Sequence, residues 1–387
     1  MIKNANYILF SILRSALNGN QMGESDKALV TQEILPDLIN TAKKHDIAHL
    51  IALGLLNNKL VNDDTKALAQ KIVFKAVYRF EKLNYELERV CQALELARIP
   101  FITLKGSVIR KYYPEPWMRT SCDIDILVHK EDLKTAVSYL VDNLNFTEHR
   151  QNSHDVSLYS QNGVHIELHY DLVEDGLVNL SSNVLVNVWD TAAVVDGSNY
   201  RYNMTDDMFY FYHIAHMAKH FKSGGCGIRP FIDLWILDNI DNVDTAKRNS
   251  LLKKGELLQF ANAAQKLSRA WFDNQPLDAV TEKMQNYIIC GGVYGSKENR
   301  IAIQQQKRGG KIKFALSRIF LSYNDIKFYY PVLQKHRWLT PFMQVCRWFN
   351  ILFGGNAKRS IDELTYSQNI SKTQADEIKA FLYTIGL

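Results

Sequence analysis

Apolar residues recur every three or four positions over most of this chain, and one central stretch breaks that rhythm with strict alternation. Residues 1–97 carry the helical period, clearest where Phe80, Leu83, Leu87, Val90, Leu94 and Ala97 fall on one helix face. Pro100 stops that helix, and Phe101-Ile-Thr-Leu104 is a short apolar run suited to a buried strand. Gly106-Ser107 then predicts a turn into a brief helical piece ending before Pro114. The segment 114–121, with two prolines, reads as a loop.

Alternation follows. In Asp123-Ile-Asp-Ile-Leu-Val128 the residues Ile124, Ile126 and Val128 point one way, and Asp123 and Asp125 the other. Leu133, Ala136, Val137, Leu140, Val141 and Leu144 restore a helical stripe. Residues 155–160 and 164–169 then flank Asn162-Gly163, the strongest local signal for a β-hairpin. In its second strand Val164, Ile166 and Leu168 share one face, and His165, Glu167 and His169 the other. From about residue 205 the helical period returns, without repeats or low-complexity tracts. The aromatic, basic stretch Phe328–Phe353 fits either a membrane-surface helix or an amphipathic helix packed on the core, and the second is the expectation. The fold class is therefore α+β: a small mixed sheet (80–204) between an N-terminal helical region (1–79) and a C-terminal one (205–387).

Composition narrows the class without naming a function. With 387 residues, 47% hydrophobic and 22% charged, the chain is globular and long enough for two or three packed units. Its net charge of +5 is modest and suits a polyphosphate ligand; it does not by itself argue for nucleic acid, which needs a concentrated basic face, so nucleic acid is not the expected partner. Five scattered cysteines form no CxxC pair, which excludes a zinc ribbon or disulfide framework and fits a reducing, cytoplasmic setting. The apolar N-terminal stretch is interrupted by Arg14 and lacks a small-residue cleavage site, so it reads as an amphipathic helix. No run of eighteen apolar residues predicts a membrane span.

The candidate chemistry lies in the alternating stretch. Two aspartates one residue apart on a strand present their carboxylates to one side, roughly 6–7 Å apart along the chain. Such charges repel unless a cation lies between them. Mg2+ takes oxygen ligands and typically one or two carboxylates with phosphate oxygens. Glu167 from a neighbouring strand would complete a site for two ions, which can stabilise both oxygens of an in-line displacement at phosphorus. Gly106 and Ser107, between strand and helix, suit close approach of backbone amides to a phosphate, with Lys105 and Arg119 adding positive charge.

The order strand, Gly-Ser, short helix, loop, Asp-x-Asp strand, helix and Glu-bearing hairpin resembles the DNA polymerase β-type nucleotidyltransferase superfamily. More narrowly, Leu104-Lys-Gly106, Tyr113-Pro114, Arg119-x-x-x-Asp123-Ile-Asp-Ile-Leu-Val128, Glu167-Leu-His169, His216-x-x-x-His220 and Arg229-x-x-x-Asp233 resemble a bacterial family of uncharacterised nucleotidyltransferases. The likeness runs from about Phe80 to Leu237, and more weakly over Tyr330–Phe353. Around Arg119-x-x-x-Asp123-x-Asp125 the chain is also similar to abortive-infection toxin nucleotidyltransferases. The resemblance implies that Asp123, Asp125 and Glu167 bind Mg2+ (or Mn2+), and that Gly106 and Ser107 hold the triphosphate of a nucleoside triphosphate substrate. Lys105 stands where many members of the superfamily have a small residue.

Other signals are weighed beside this. His165-x-Glu167-x-His169 invites a zinc reading, but a zincin places its histidines four apart on a helix and a zinc deaminase needs a PCxxC partner, so the histidines are expected to orient Glu167 or touch substrate. His213, His216 and His220 share one helical face, suited either to packing on the sheet or to substrate contact. Arg229 and Asp233 suit a mutual ion pair or nucleotide contact, and His216 and Arg229 are the candidate substrate-selecting residues. Ser107 lacks a His/Asp partner at a recognisable spacing and is not read as a nucleophile. Two functions survive. One is an enzyme moving a nucleoside monophosphate from a triphosphate to an unidentified acceptor, a small molecule or protein ahead of RNA. The other is a non-catalytic nucleotide- or partner-binding module. Three clustered carboxylates favour the enzyme.

Overall fold

The computed structural model describes residues 2–174, 176–353, 365 and 370–387. The N-terminal part is helical as its period predicts: α1 (Ile2–Asn18), α2 (Leu35–Lys44), α3 (Ala48–Asn57) and the long α4 (Asp63–Leu96). Asn62 caps α4 by accepting from the Thr65 amide at 2.9 Å, and Asp63 and Asp64 sit favourably in its first turn. α4 runs straight through the 79/80 boundary expected between helical region and core.

The central region follows: β1 (Phe101–Thr103), a one-turn α5 (Gly106–Ile109), β2 (Asp123–Val128), α6 (Leu133–Leu144), β3 (Thr147–Gln151), β4 (Asp155–Tyr159) and β5 (His165–His169), then β6 (Ala193–Val194) and β7 (Arg201–Asn203). These strands form one mixed sheet in the order β3-β4-β5-β2-β1-β7-β6. The hairpin β4–β5 turns where Asn162-Gly163 predicts, with Gly163 at φ +71. β3, β6 and β7 carry no alternation in sequence. β3 is exposed along its whole length, so no buried face imposes a period on it. The proline-rich loop 114–121 contains a short 3-10 turn at Pro116–Met118, a start that proline tolerates at its first position.

The two sheet faces have different fates. Ile124, Ile126, Val128, Ile166 and Leu168 pack with Leu83, Leu87, Val90 and Leu94 of α4 and Ala136 and Leu140 of α6 in one closed core. The opposite face carries the acids and histidines. Near its edge Ile102, Leu104 and Leu127 join a larger core shared by α1–α3 and the C-terminal helices α7 (Asp206–Lys222), α8 (Arg229–Asp238) and α9 (Leu258–Phe272). The chain thus wraps helices over the polar face and leaves a cleft between sheet and α7–α8.

Among the described residues no helix is long and apolar enough to cross a membrane. The aromatic stretch departs from the expectation of a helix packed on the core. It forms α11 (Tyr323–Tyr329) and α12 (Thr340–Phe353), and these follow α10 (Lys311–Ile319). The side of α12 that meets its neighbours is polar. Gln344 donates to the Leu321 carbonyl at 2.5 Å, and Arg347 donates to the carbonyls of Arg318 (2.8 Å) and Ile319 (3.1 Å). Its phenylalanines face outward because these polar groups take the carbonyls left open at the end of α10.

Candidate functional site

Parallel pairing of β2 with β5 sets the site. Asp123 lies beside His165, Asp125 beside Glu167, and Leu127 beside His169, all on one face. The hydrophobic alternation that buries Ile124, Ile126, Ile166 and Leu168 beneath the sheet forces this acid-and-imidazole row upward. Two sets of three potential ligands result, Asp123/His165/Glu167 and Asp125/Glu167/His169, and within each the ligand atoms lie within 4.8 Å of one another. Glu167 belongs to both sets. The three carboxylates picked out by spacing therefore converge.

Asp125 is 5% exposed and Glu167 28%, so they occupy the floor and the wall of the site. Asp125 Oδ1 accepts from Lys105 Nζ at 2.7 Å and lies 2.9 Å from His169 Nε2. Burial would raise the Asp125 pKa, but Lys105 and His169 outweigh it and hold the carboxyl well below the usual range. Burial likewise disfavours the Lys105 ammonium, and Asp125 more than compensates, pushing its pKa well above the ordinary value. His169 is raised in the same way, its hydrogen bonds to Asp125 and Glu167 outweighing burial. Asp123 is raised, first by burial and then by Asp125. His165 stacks on Tyr159 with ring centroids 4.7 Å apart, and its buried Nε2 has no hydrogen-bond partner among the described residues.

Lys105 reaches Asp125 through an unusual backbone. Its φ of 47° and ψ of −121° are those of the first central position of a type II′ turn, closed by the Ser107 amide on the Leu104 carbonyl at 3.1 Å. Glycine is favoured there, so a lysine stores on the order of 1–3 kcal/mol of strain. At Gly106 a Cβ would come within 2.3 Å of Ser121 Oγ, which explains the glycine. The expected phosphate cradle is thereby reduced. The Ser107 amide is engaged within the turn, Ser107 does not line the cleft, and α5 has only four residues, so Lys105, Gly106 and the apolar Ile109 form this wall.

The cations beyond Lys105 serve the protein. Arg119 and Asp233 form a buried pair, with Arg119 Nε 2.7 Å from Oδ1 and 3.0 Å from Oδ2, and Tyr113 donating to Oδ1 at 2.6 Å. Arg229 is not the partner of Asp233. Its Nη1 donates to Asp46 at 2.6 Å and to the Thr120 carbonyl at 3.2 Å. Neither arginine is therefore poised as a free fork toward a triphosphate. Together they fasten the loop before Asp123 to α8.

The histidine face of α7 divides. His213 lines the cleft, but its Nε2 is engaged 3.0 Å from the Pro230 carbonyl. His216 and His220 face each other with Nε2 atoms 3.0 Å apart, and both line the cleft. Burial lowers them to about 3 and about 4, so both are neutral imidazoles at neutral pH. Sequence reading missed Glu174, where Lys219 (2.5 Å), His154 (3.3 Å) and His216 (3.8 Å) converge, and Asp46, which Arg229 and Arg79 share. Both acids sit in loops outside any periodic pattern, and their partners are far away in sequence.

The resulting cleft has a volume of about 640 Å³, well within the range of small-molecule sites. Seven carboxylates line it against four Lys or Arg side chains, an excess of three negative charges. All four cations are already ion-paired: Lys105 with Asp125, Arg119 with Asp233, Lys219 with Glu174 and Arg229 with Asp46.

A mixed sheet that carries three converging carboxylates on adjacent strands, under a helical cover, has the architecture of an α+β nucleotidyltransferase. The chain belongs to the uncharacterised nucleotidyltransferase family, whose match covers residues 33–273 and so includes the carboxylate row and the α7–α8 wall. No curated protein matches the sequence.

Proposed function

We propose that the protein transfers a nucleoside monophosphate from a nucleoside triphosphate to an acceptor, in a reaction that depends on Mg2+ or Mn2+. The observation carrying this reading is the convergence of Asp123, Asp125 and Glu167 within a cleft of net negative charge whose own cations are all paired. A triphosphate entering such a cleft needs counter-charge from outside the chain. The donor set fits a hard divalent ion, since the carboxylates of Asp123 and Asp125 each come within ligand distance of Glu167. When bound, the ion neutralises the phosphates and the charge that develops at the displaced oxygen.

The residues of the chain divide the remaining work. Asp123, Asp125 and Glu167 hold the cation. Lys105, beside Asp125 on the strained turn, has a flexible four-carbon stem that would let its ammonium reach the phosphates. The acceptor oxygen forms a bond to the α-phosphorus as the bond to the bridging oxygen of the β-phosphate breaks. Pyrophosphate leaves, and the acceptor proton passes to a carboxylate of the row, Glu167 being the partly exposed one. His216 and His220, being neutral, can hydrogen-bond a base or hydroxyl but add no charge against phosphate. Helix α7 is thus the selecting wall and β2–β5 the reacting floor.

Calorimetric titration of Mn2+ together with a non-hydrolysable triphosphate tests this. Wild type binds the triphosphate only with the metal, Glu167→Gln weakens metal binding at least roughly tenfold, and His216→Ala weakens the nucleotide while sparing the metal. Equal triphosphate affinity with and without metal would remove the basis of the proposal. Tight metal-dependent binding without turnover on any acceptor would leave a nucleotide-binding module.

A further inference from the structure

A second surface, remote from the cleft in sequence, is built inside out. Helix α12 turns Gln344 and Arg347 inward to backbone carbonyls and presents Phe342, Val345, Phe349 and Phe353 outward. With Trp338 just before the helix, these five continue a three- and four-residue spacing along one line, and Trp338 and Phe353 are 76% and 82% exposed. α10 adds a like stripe: Ile312, Leu316 and Ile319, ending at Phe320, are all exposed. The two helices meet where the rings of Phe320 and Trp348 pack edge to face at 5.3 Å. Soluble proteins rarely leave so large an apolar surface uncovered without a use for it.

Charge identifies what covers it. Residues 307–353 contain nine Lys or Arg and a single acid, Asp325, a net +8 in a chain whose total is +5. The remainder of the protein is therefore at −3, and the basic charge is concentrated in this one segment. A second copy of the same surface would bring +8 against +8, which opposes an isologous dimer. Single-stranded nucleic acid stacks its bases on aromatic rings, whereas this face mixes rings with Ile312, Leu316, Ile319 and Val345, which offer no stacking plane. An apolar helical stripe within a segment of net positive charge, with Lys313 and Lys335 exposed, matches the boundary between acyl chains and anionic headgroups. We infer that the α10–α12 face docks the protein on an anionic membrane surface, lying in its interface without crossing it.

Vesicle flotation of the full chain tests the inference, using phosphatidylcholine alone and an equimolar mixture with phosphatidylglycerol. The protein is expected to float with the mixed vesicles, to stay behind with phosphatidylcholine, and to be released by salt. Phe342→Ser with Phe349→Ser should weaken binding at least roughly tenfold, since the apolar insertion is lost. Lys313→Gln with Lys335→Gln should weaken it about thirtyfold, each lysine near the surface contributing roughly fivefold. Both pairs are exposed, so unchanged thermal melting verifies the fold, and the lysine pair probes the surface independently of the phenylalanines. Wild type that does not float with mixed vesicles overturns the inference. So does flotation that both double variants retain. Binding to a single-stranded oligonucleotide without vesicle binding would assign the face to nucleic acid, and a dimer split by the phenylalanine pair without vesicle binding would assign it to a second copy.

Discussion

Asp123 and Asp125 are two residues apart, on one strand and one face, yet their surroundings drive them in opposite directions. Asp125 is buried against Lys105 and His169 and held strongly ionised, whereas Asp123 is raised by burial and by Asp125 itself. From spacing alone, each carboxylate is expected to be disfavoured by its repelling neighbour. That holds for Asp123 only. Asp123→Asn is expected to leave the melting temperature unchanged or slightly higher in metal-free buffer. Asp125→Asn should cost on the order of 2 kcal/mol, because the Lys105 ammonium then lies largely buried without its partner. Thermal melts of the two variants at neutral pH, with chelator, check the contrast; equal effects would mean that Lys105 does not stabilise the floor of the site.

At the scale of elements, two clamps hold the loop 114–121 so that β2 emerges in register with β5. The Arg119–Asp233 pair and the Tyr113 hydroxyl tie the loop to α8, and Arg229 ties the Thr120 carbonyl to α8 and Asp46. Asp233→Ala would leave the Arg119 guanidinium buried without its carboxylate, a loss of about 3–5 kcal/mol. Denaturant melts should show this even though Asp233 is not proposed to touch substrate, and a loss below about 1 kcal/mol would return the pair to a minor role. This scale also separates what is legible in sequence from what is not. β2, the hairpin β4–β5, α4 and α6 were predictable because one buried face imposes a period of two or 3.6. β3, fully exposed, and the short pair β6–β7 had no such face. The carboxylate row was legible for the same reason, since alternation fixes side. The pairing of Arg229 with Asp46, across 183 residues, was not, because no local pattern encodes a tertiary partner.

For the whole molecule, the N-terminal and C-terminal helices share one core around the sheet, and buried histidines lie inside it. His45 and His49 are both buried, and burial lowers each to about 4, while His49 Nε2 lies 2.7 Å from the Met118 carbonyl in the loop before the site. Unfolded, each titrates near 6.5, so below that pH the unfolded chain binds protons that the folded chain refuses. The stability these groups contribute is complete above about pH 6.5 and falls as pH drops toward 4, by up to roughly 1.4 kcal/mol per pH unit for each. Denaturant melts between pH 7 and 4.5 should show that decline, and His49→Gln should reduce its slope. A slope unaltered by the substitution would mean that His49 is protonated in the fold.

The family assignment fixes the class of the protein, and the proposed transfer of a nucleotidyl group rests on the three carboxylates. The most direct measurement follows the label. The protein is incubated with Mg2+, a cell extract and each of the four nucleoside triphosphates, labelled on the α-phosphate in one series and on the γ-phosphate in another. The account predicts that one α-label becomes attached to an acceptor while the γ-label leaves in pyrophosphate, and that Asp123→Asn, Asp125→Asn and Glu167→Gln each abolish attachment. Attachment of the γ-label, or α-label attachment that survives loss of Glu167, would contradict it.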